Sequence, residues 1–232
     1  MSEEILPGAL YIVSTPIGNL DDITLRAARV LGGVDVVAAE DTRVTGFLLR
    51  HLAIRKPMVS YYAPVEERRA AQLLRILKEG KSVALVTDAG TPGISDPAYA
   101  VIRSAVLEGI PVLAVPGASA LLAGLVVSGL PMDRFVFEGF LPVKKGRRSK
   151  LEALKSEDRT IVLYESPFRI LRTVRDILEV FGDRPLAVAR EVTKKFEEVY
   201  RGSASSVLAQ LESRPPRGEY VVIVGAAGGK HQ

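Results

Sequence analysis

Hydrophobic and polar positions follow two alternating periods through the first half of the chain. Short apolar runs typical of buried strands are each followed by a stretch with apolar residues at helical spacing. The predicted strands cover residues 10–15, 34–40, 58–62, 82–87 and 111–115, and the predicted helices cover residues 22–33, 42–54, 66–80 and 96–109. This repeated strand–helix unit predicts a mostly parallel sheet with helices on both faces.

The pattern changes after Pro116. Residues 117–129 are mostly small and apolar and predict a helix that is buried on all sides. The remaining pattern predicts strands at 134–140, 160–165, 185–192, 196–202 and 219–225, and helices at 146–156, 166–182 and 203–212. We therefore expect an α/β domain over 1–116 and an α+β domain with a mixed sheet over 117–232. No flexible linker separates them, so a cleft between the two domains is expected.

Composition narrows the classes of function. The 232 residues include no cysteine, which excludes disulfides and thiolate zinc sites, and only two histidines, His51 and His231. A histidine-based metal centre or a serine triad would depend on His51 alone, so no metal is expected. A net charge of +4 and a pI of about 9.3 permit a polyanionic partner without requiring one.

The sequence predicts a cytoplasmic protein without a membrane span. Its first residues, MSEEILPGALYIV, carry acids where a signal peptide carries bases. The longest uncharged stretch, 110–132, is interrupted by Pro111, Pro116 and Pro131. It therefore predicts a strand, a turn and a helix rather than a membrane segment.

Two loops that follow predicted strands hold candidate binding residues, because ligands of open α/β sheets bind beyond the carboxyl ends of the strands. In the loop 14–24, Pro16 and Gly18 favour a tight turn that a ligand can approach, but a generic strand–helix turn capped by Asp21 or Asp22 needs no ligand and is the more typical case. This loop is not a dinucleotide fingerprint, because it has no G-x-G-x-x-G.

The loop 86–97, VTDAGTPGISDP, carries the strongest signal. Asp96 followed by Pro97 predicts a helix N-cap. A cap does not account for Asp88, Gly90 and Gly93, and a plain connection needs fewer residues. We therefore expect this loop to bind a ligand.

Acids and bases follow several other strands. Glu40 ends the second strand and favours a cleft position, whereas Asp41 or Thr42 could cap the next helix while Arg43 pairs with Glu40. Three further strand ends carry Gly117 and Ser119, then Glu165, and finally Arg190 with Lys194. Each is more typical of structure than of function when taken singly, but together they line one rim of both sheets.

A basic run lies between the strand 134–140 and the next helix. Its cations are Lys144, Lys145, Arg147, Arg148 and Lys150. Cations are unfavourable at a helix N-terminus, so phosphate contacts would offset a local cost. The alternative is a solvated loop.

These segments together resemble a known family. LYIVSTPIGNLDDITLRA, AAEDTR, LVTDAGTPGISDP, VPGASA, FEGFLP and LYESPFR are similar to the bacterial small-subunit rRNA cytidine-2′-O-methyltransferases of the tetrapyrrole-methylase superfamily. The resemblance covers about Leu10 to Gly225. It departs at Tyr62 and Phe168, where relatives often have histidine, and at Ala98, where they often have glycine. Many relatives also carry a further C-terminal helical segment.

The resemblance implies an α/β fold of two domains, a homodimer, and S-adenosylmethionine bound in the cleft between the domains. The implied reaction is methylation of a cytidine ribose 2′-hydroxyl in the decoding centre of 16S rRNA. The implied cofactor contacts are Pro16, Gly18, Thr91, Ile94, Ser119, Ala120, Tyr164, Ala189 and Glu219, to which the loop argument adds Gly90 and Gly93.

Methyl transfer is an in-line attack on an already activated methyl group, so alignment should supply most of the rate gain. A base should help the weakly nucleophilic hydroxyl, and the candidates are Asp88, Glu40 and Glu165. The candidate RNA-binding cations are Arg43, Lys144, Lys145, Arg147, Arg148, Lys150, Arg190 and Lys194. A relative acting on a small tetrapyrrole substrate and a non-catalytic RNA-binding protein remain the alternatives.

Overall fold

The computed structural model describes residues 4–62 and 66–228, with the backbone alone at 66 and 67. The chain divides into two compact units, a first unit of Met1–Ser119 and a second unit of Ala120–Gln232. Within the described ranges, no helix is both long and apolar enough to cross a bilayer.

The described strands of the first unit form one parallel sheet. They are β1 (Leu10–Val13), β2 (Val36–Ala39), β3 (Met58–Ser60), β4 (Val83–Val86) and β5 (Val112–Val115). Their order is β3-β2-β4-β1-β5. The first strand lies inside the sheet, because Leu10 aligns with Val83 on one side and Val112 on the other.

Helices cover both faces of this sheet. They are α1 (Leu25–Gly33), α2 (Thr42–His51), α3 (Glu66–Lys78) and α4 (Tyr99–Leu107). Successive strand residues point to opposite faces. Thus Tyr11 belongs to the core cluster with α1 and α2, whereas Leu10 belongs to the cluster with α3 and α4. The predicted α/β class with a parallel sheet is confirmed.

The described strands of the second unit form a mixed sheet. They are β6 (Phe135–Phe140), β7 (Thr160–Glu165), β8 (Pro185–Arg190), β9 (Glu198–Ser203) and β10 (Tyr220–Val224). Their order is β6-β7-β10-β8-β9, and β6 with β7 is the parallel pair while the other pairs are antiparallel. Strands β8 and β9 pair as the short connection between them predicts.

Helices also pack on both faces of the second sheet. On one face lie α6 (Arg147–Leu154), α7 (Ile170–Phe181) and α8 (Ala204–Glu212), and on the other lies α5 (Ala120–Val126). A Cβ built on Gly124 would lie 2.8 Å from Val221, so α5 approaches β10 more closely than any larger residue allows.

The expectation that this small-residue helix is buried on all sides is wrong. Leu122 and Val126 are 51% and 59% exposed. Glycine and alanine permit close packing on one face of a helix, but they do not require a partner on the other face.

Two predicted helix starts are also wrong, and two are confirmed. Helix α1 is capped by Thr24 and not by Asp21 or Asp22. Both aspartates lie in a preceding 3₁₀ turn, which Asn19 caps. Helix α4 begins at Tyr99 after Ala98, so neither Asp96 nor Pro97 starts it. Of the two residues expected to cap α2, Asp41 is the N-cap, and Ser203 caps α8.

Candidate functional site

Three loops of the first unit meet at the carboxyl ends of their strands: the β1 loop (14–24), the β4 loop (87–98) and the β5 loop (116–119). Thr15 and Gly90 exchange backbone hydrogen bonds of 2.9 and 3.2 Å. The Thr15 hydroxyl donates to the carbonyl of Thr87 at 3.0 Å, and the hydroxyls of Ser14 and Thr91 lie 2.7 Å apart. These bonds fix the β1 and β4 loops to each other without any ligand.

Glycine permits the close approach of these loops. Gly90 and Gly93 have φ of +89° and +86°, a region that glycine adopts readily. A Cβ on Gly117 would lie 3.0 Å from Ser14 Cβ, so the β5 loop lies directly against the β1 loop. The close backbone approach expected at Gly117 is therefore present, and the neighbour is the protein's own chain.

Gly90 is buried against residues of the two neighbouring loops, and we call its surroundings the Gly90 cradle. A Cβ on Gly90 would lie 3.5 Å from Ile17 Cγ2 and 3.9 Å from the carbonyl oxygen of Ala118. One apolar side chain and one carbonyl from two different loops thus border it. A ligand that presents both apolar and polar surface, such as an adenosyl or amino acid moiety, suits this lining.

The residues implied as cofactor contacts fall in both units. Those of the first unit lie on the three loops and are Pro16, Gly18, Thr91, Ile94 and Ser119. Those of the second unit are Ala120, Tyr164, Ala189 and Glu219.

The second-unit positions differ in accessibility. Tyr164 accepts a hydrogen bond of 3.0 Å from the amide of Leu121, and both Tyr164 and Ala189 align with Val221. Ala189 is fully buried, so a ligand can reach it only if neighbouring side chains move.

Two of the three candidate bases lie together beside the cradle. The Thr87 hydroxyl donates to Glu40 Oε2 at 2.5 Å, and the amide of Asp88 lies 3.3 Å from the same oxygen. Asp88 Oδ1 accepts a 3.0 Å bond from the amide of Asp41. Partial burial and the nearby carboxylates of Glu40 and Asp41 raise the pKa of Asp88, which strengthens it as a proton acceptor.

A third carboxylate, Asp96, belongs to this group and was missed by the sequence reasoning. Partial burial raises its pKa to about 6, with a further contribution from the carboxylates of Glu40 and Asp88, while a hydrogen bond with Thr87 opposes the shift. The sequence held a signal for it, since Asp96 lies near the end of the loop that also contains Asp88. The sequence pattern was explained by a helix cap at Asp96, so no further role was assigned to this residue.

Replacing Asp96 with Asn is expected to stabilise the protein at about pH 8 and to have little effect near pH 4. Because the folded state holds this proton more tightly than the unfolded chain, wild-type stability falls as pH rises from about 4 to about 6. The Asn variant lacks that loss, on the order of 1 kcal/mol after allowance for solvent screening. Urea denaturation at both pH values measures it, with exposed Asp133→Asn as control. A variant equally destabilised at both would contradict the assignment.

Arg43 does not pair with Glu40, contrary to one expectation. Its guanidinium lies 2.5 Å from Asp41 Oδ2 and 3.0 Å from Oδ1. Hydrogen bonds from the Arg43 side chain and amide lower the pKa of Asp41 to about 2. The side chain of Arg43 stays largely exposed and can still meet an anion.

The structure does not support Glu165 as a base. Its side chain is fully buried and accepts bonds of 2.7 Å from Arg169, 2.6 Å from the Thr173 hydroxyl and 2.8 Å from the amide of Ser166. Since its lone pairs serve these internal donors, we interpret Glu165 as structural.

The structure also contradicts the expectation that Arg147, in the basic run, binds RNA. Its side chain is 4% exposed and donates at 2.7 Å to both Asp176 and the Thr173 hydroxyl, and at 3.4 Å to the carbonyl of Pro142. It anchors the start of α6 to α7. Its donors are therefore not free for RNA.

The other cations of the run differ in their availability. Lys144 and Lys145 are exposed and have no ion-pair partner in the part of the chain that the structure describes. Arg148 pairs with Glu152 and Glu179, and Lys150 pairs with Glu138. The two unpaired lysines are the strongest phosphate-binding candidates.

Arg190 and Lys194 are partly occupied. Arg190 donates to the carbonyl of Arg217 at 2.7 Å and lies 3.4 Å from Glu198. Lys194 lies 2.9 Å from both Glu191 and Glu219. These hydrogen bonds outweigh the effect of burial and raise the pKa of Lys194. A phosphate there would have to compete with these carboxylates.

Among the described residues, no group of three or more histidine, aspartate and glutamate side chains is arranged to hold a metal ion. His51 is exposed at the end of α2, and His231 lies outside the described residues.

Comparison with known proteins gives the family. Residues 9–208 match the model for tetrapyrrole (corrin/porphyrin) methylases. Ribosomal RNA small subunit methyltransferase I of Thermotoga maritima is 50% identical over 217 residues, which cover 94% of this chain and 98% of that protein. A structure of uroporphyrin-III C-methyltransferase from Thermus thermophilus is 25% identical, with a TM-score of 0.67 and 94% of each chain covered. Another, complexed with S-adenosylhomocysteine, is 22% identical, with a TM-score of 0.64 and 94% and 97% covered.

Both the sequence match and the shared fold extend over nearly the whole chain. The chain therefore belongs to the tetrapyrrole methylase family, and within it to the group of ribosomal RNA small subunit methyltransferase I proteins.

Proposed function

We propose that this protein transfers a methyl group from S-adenosylmethionine to the ribose 2′-hydroxyl of a cytidine in the decoding centre of 16S rRNA. The half-identical relative is named for small-subunit ribosomal RNA, which supports the substrate. The observation that carries the chemistry is the placement of Glu40 and Asp88 at strand ends beside the Gly90 cradle. Oxygen methylation requires a hydroxyl proton to leave, and carboxylates there can accept it.

The cofactor is S-adenosylmethionine, which supplies an already activated methyl group. The shared fold of a methyltransferase crystallised with S-adenosylhomocysteine supports this donor. In the proposal, Gly90 and Thr91 provide backbone contact, Ile17 and Ile94 provide apolar contact, and Ser119 provides a hydrogen-bonding hydroxyl. Pro16, Gly18, Gly93, Ala120, Tyr164, Ala189 and Glu219 complete the proposed contacts.

Asp88 is the proposed base. It is the more exposed of the two carboxylates, and its raised pKa favours proton acceptance. Glu40 accepts bonds from Thr87 and Asp88 and is proposed to position Asp88. The phosphates of the RNA are assigned to Lys144 and Lys145, with Arg43, Arg148, Lys150, Arg190 and Lys194 as secondary contacts. A homodimer and a cytoplasmic location remain predictions.

Methyl transfer to purified small ribosomal subunits tests the function directly. Subunits that lack the modification are incubated with methyl-labelled S-adenosylmethionine, and the rRNA is digested to nucleosides. Label in 2′-O-methylcytidine is the expected result. Label on a base would contradict ribose methylation, and label only on uroporphyrin, offered in a parallel incubation, would contradict the RNA substrate. Absence of both label and cofactor-binding heat would contradict a methyltransferase function.

Asp88→Asn is expected to lower kcat about 100-fold, the low end for a general base because the donor is already activated. Asp35→Asn is a matched control. Asp35 accepts two 2.7 Å bonds from Ser82 and so connects the starts of β2 and β4, at the edge of the sheet opposite to the candidate site. Rates at saturating cofactor measure both variants. Equal losses in the two would remove Asp88 from the chemistry.

A further inference from the structure

Phe168 is an exposed aromatic side chain with no packing role. It is 96% exposed, in the turn that precedes α7. Phe140, at the end of β6, is 52% exposed. Single exposed apolar residues are ordinary, so exposure alone assigns nothing. The surroundings of these two rings are what distinguish them.

Arg169 joins the two aromatic segments. Its guanidinium lies 5.8 Å from the centroid of the Phe140 ring and donates to the carbonyl of Leu141 at 3.1 Å. The same guanidinium lies 2.7 Å from buried Glu165. The residue next to Phe168 is therefore fixed against the segment that carries Phe140.

The unpaired lysines are fixed to the same buried network. Thr173 donates to Glu165 at 2.6 Å and accepts from Arg147 at 2.7 Å, and Arg147 also donates to the carbonyl of Pro142. Arg147, which follows the two lysines, is thus bonded to α7, and Pro142, which precedes them, is bonded to Arg147. The exposed rings and the two unpaired lysines therefore lie on segments that the hydrogen bonds among Arg147, Thr173, Glu165 and Arg169 connect.

We propose that the exposed rings of Phe168 and Phe140, which lie on segments that Arg169 connects, are stacking surfaces for unpaired bases of RNA, and that Lys144 and Lys145 hold the adjoining phosphates. This inference rests on the proposed function and names how its substrate is held. Single-stranded RNA is recognised in this way, because every base offers a π face and every linkage a charge.

RNA fits this surface better than a second copy of the chain. Lys144 and Lys145 have no carboxylate partner among the described residues, and apposing two such surfaces would bring like charges together. A polyanion satisfies the cations while its bases cover the rings.

Substitutions at Phe168 separate aromatic stacking from bulk. Phe168→Leu is expected to weaken binding to small ribosomal subunits about 5- to 100-fold, whereas Phe168→Tyr should stay within about twofold of wild type. Phe196→Leu is the matched control, since Phe196 is 65% exposed in the same unit and also lies beside a cation, Lys195. Its affinity should be unchanged.

Salt titration distinguishes the two parts of the surface. Phe168→Leu should lower affinity without changing the slope of log K against log salt. Lys144→Ala with Lys145→Ala should lessen that slope by about 0.7 for each lost phosphate contact. Heat of S-adenosylmethionine binding should be the same in all of these proteins, which shows that each is folded.

The chain has no tryptophan, so Phe168→Trp introduces a single fluorescent reporter. Short single-stranded RNA should quench its indole, and the same RNA should not quench Phe196→Trp. Normal subunit affinity in Phe168→Leu, or an equal loss in Phe196→Leu, would overturn the proposed stacking. Fluorescence that changes with protein concentration in the absence of RNA would assign Phe168 to contact with a second copy. The wild-type methyl-transfer assay does not depend on these variants, so failure of the proposed function would be recognised separately.

Discussion

A Gly90→Val protein is expected to lose S-adenosylmethionine binding by about 100-fold or more while remaining folded. Two effects combine. The φ of +89° is unfavourable for a β-branched residue, and the new side chain would fill the space bordered by Ile17 and Ala118. Isothermal titration calorimetry measures the affinity, and circular dichroism with thermal unfolding measures the fold.

The chain contains a matched control for this substitution. Gly80 has φ of +80°, nothing would lie within 4 Å of its Cβ, and it precedes β4 whereas Gly90 follows it. Gly80→Val should incur a similar strain of about 1–3 kcal/mol and keep normal cofactor affinity. Normal binding by Gly90→Val would remove the cradle from the cofactor site. An equal loss of binding in both variants would attribute the effect to stability.

Arg147→Ala is expected to lower the free energy of unfolding by about 1–3 kcal/mol, whereas Arg148→Ala should change it by less than about 1 kcal/mol. The two arginines are adjacent in sequence. Arg147 is buried, and its removal leaves the buried Thr173 hydroxyl without this donor and the partly exposed Asp176 without its nearest cation. Arg148 pairs with Glu152 and Glu179 in solvent.

Urea denaturation of both variants measures this difference, and Arg147→Lys refines it. A lysine carries the charge but cannot donate to Asp176, Thr173 and Pro142 from one planar group, so only partial recovery is expected. If Arg147→Ala and Arg148→Ala were equally mild, Arg147 would be a surface cation after all and would return to the RNA-binding set.

The fold could be predicted because the apolar residues follow clear strand and helix spacings along the chain. Strand residues such as Val83 to Val86 are apolar on both faces, which is typical of a parallel sheet between two helical layers. The exposure of Leu122 and Val126 was not predictable. A run of small residues indicates close packing on one face of a helix but does not determine whether the opposite face is covered.

The candidate site was only partly predictable, because residue type does not report burial. Glu165 and Asp88 both follow apolar strands, yet one is enclosed by Arg169 and Thr173 and the other is exposed. Asp96 shows the opposite error, in which a sufficient local explanation hid a titrating carboxylate. Such differences depend on which side chains the fold brings alongside, whether from the next helix or from a distant strand end, and only the structure supplies those.

The position of β1 inside its sheet has a consequence for synthesis of the protein. The first strand made, Leu10–Val13, pairs with β4 and β5, which begin at Val83 and Val112. At about 5–20 residues per second, a ribosome needs roughly 4–14 s to advance from β1 to β4. Throughout that interval a wholly apolar segment has neither of its neighbouring strands. We therefore expect β1 to stay unpaired in the nascent chain until β4 has left the exit tunnel.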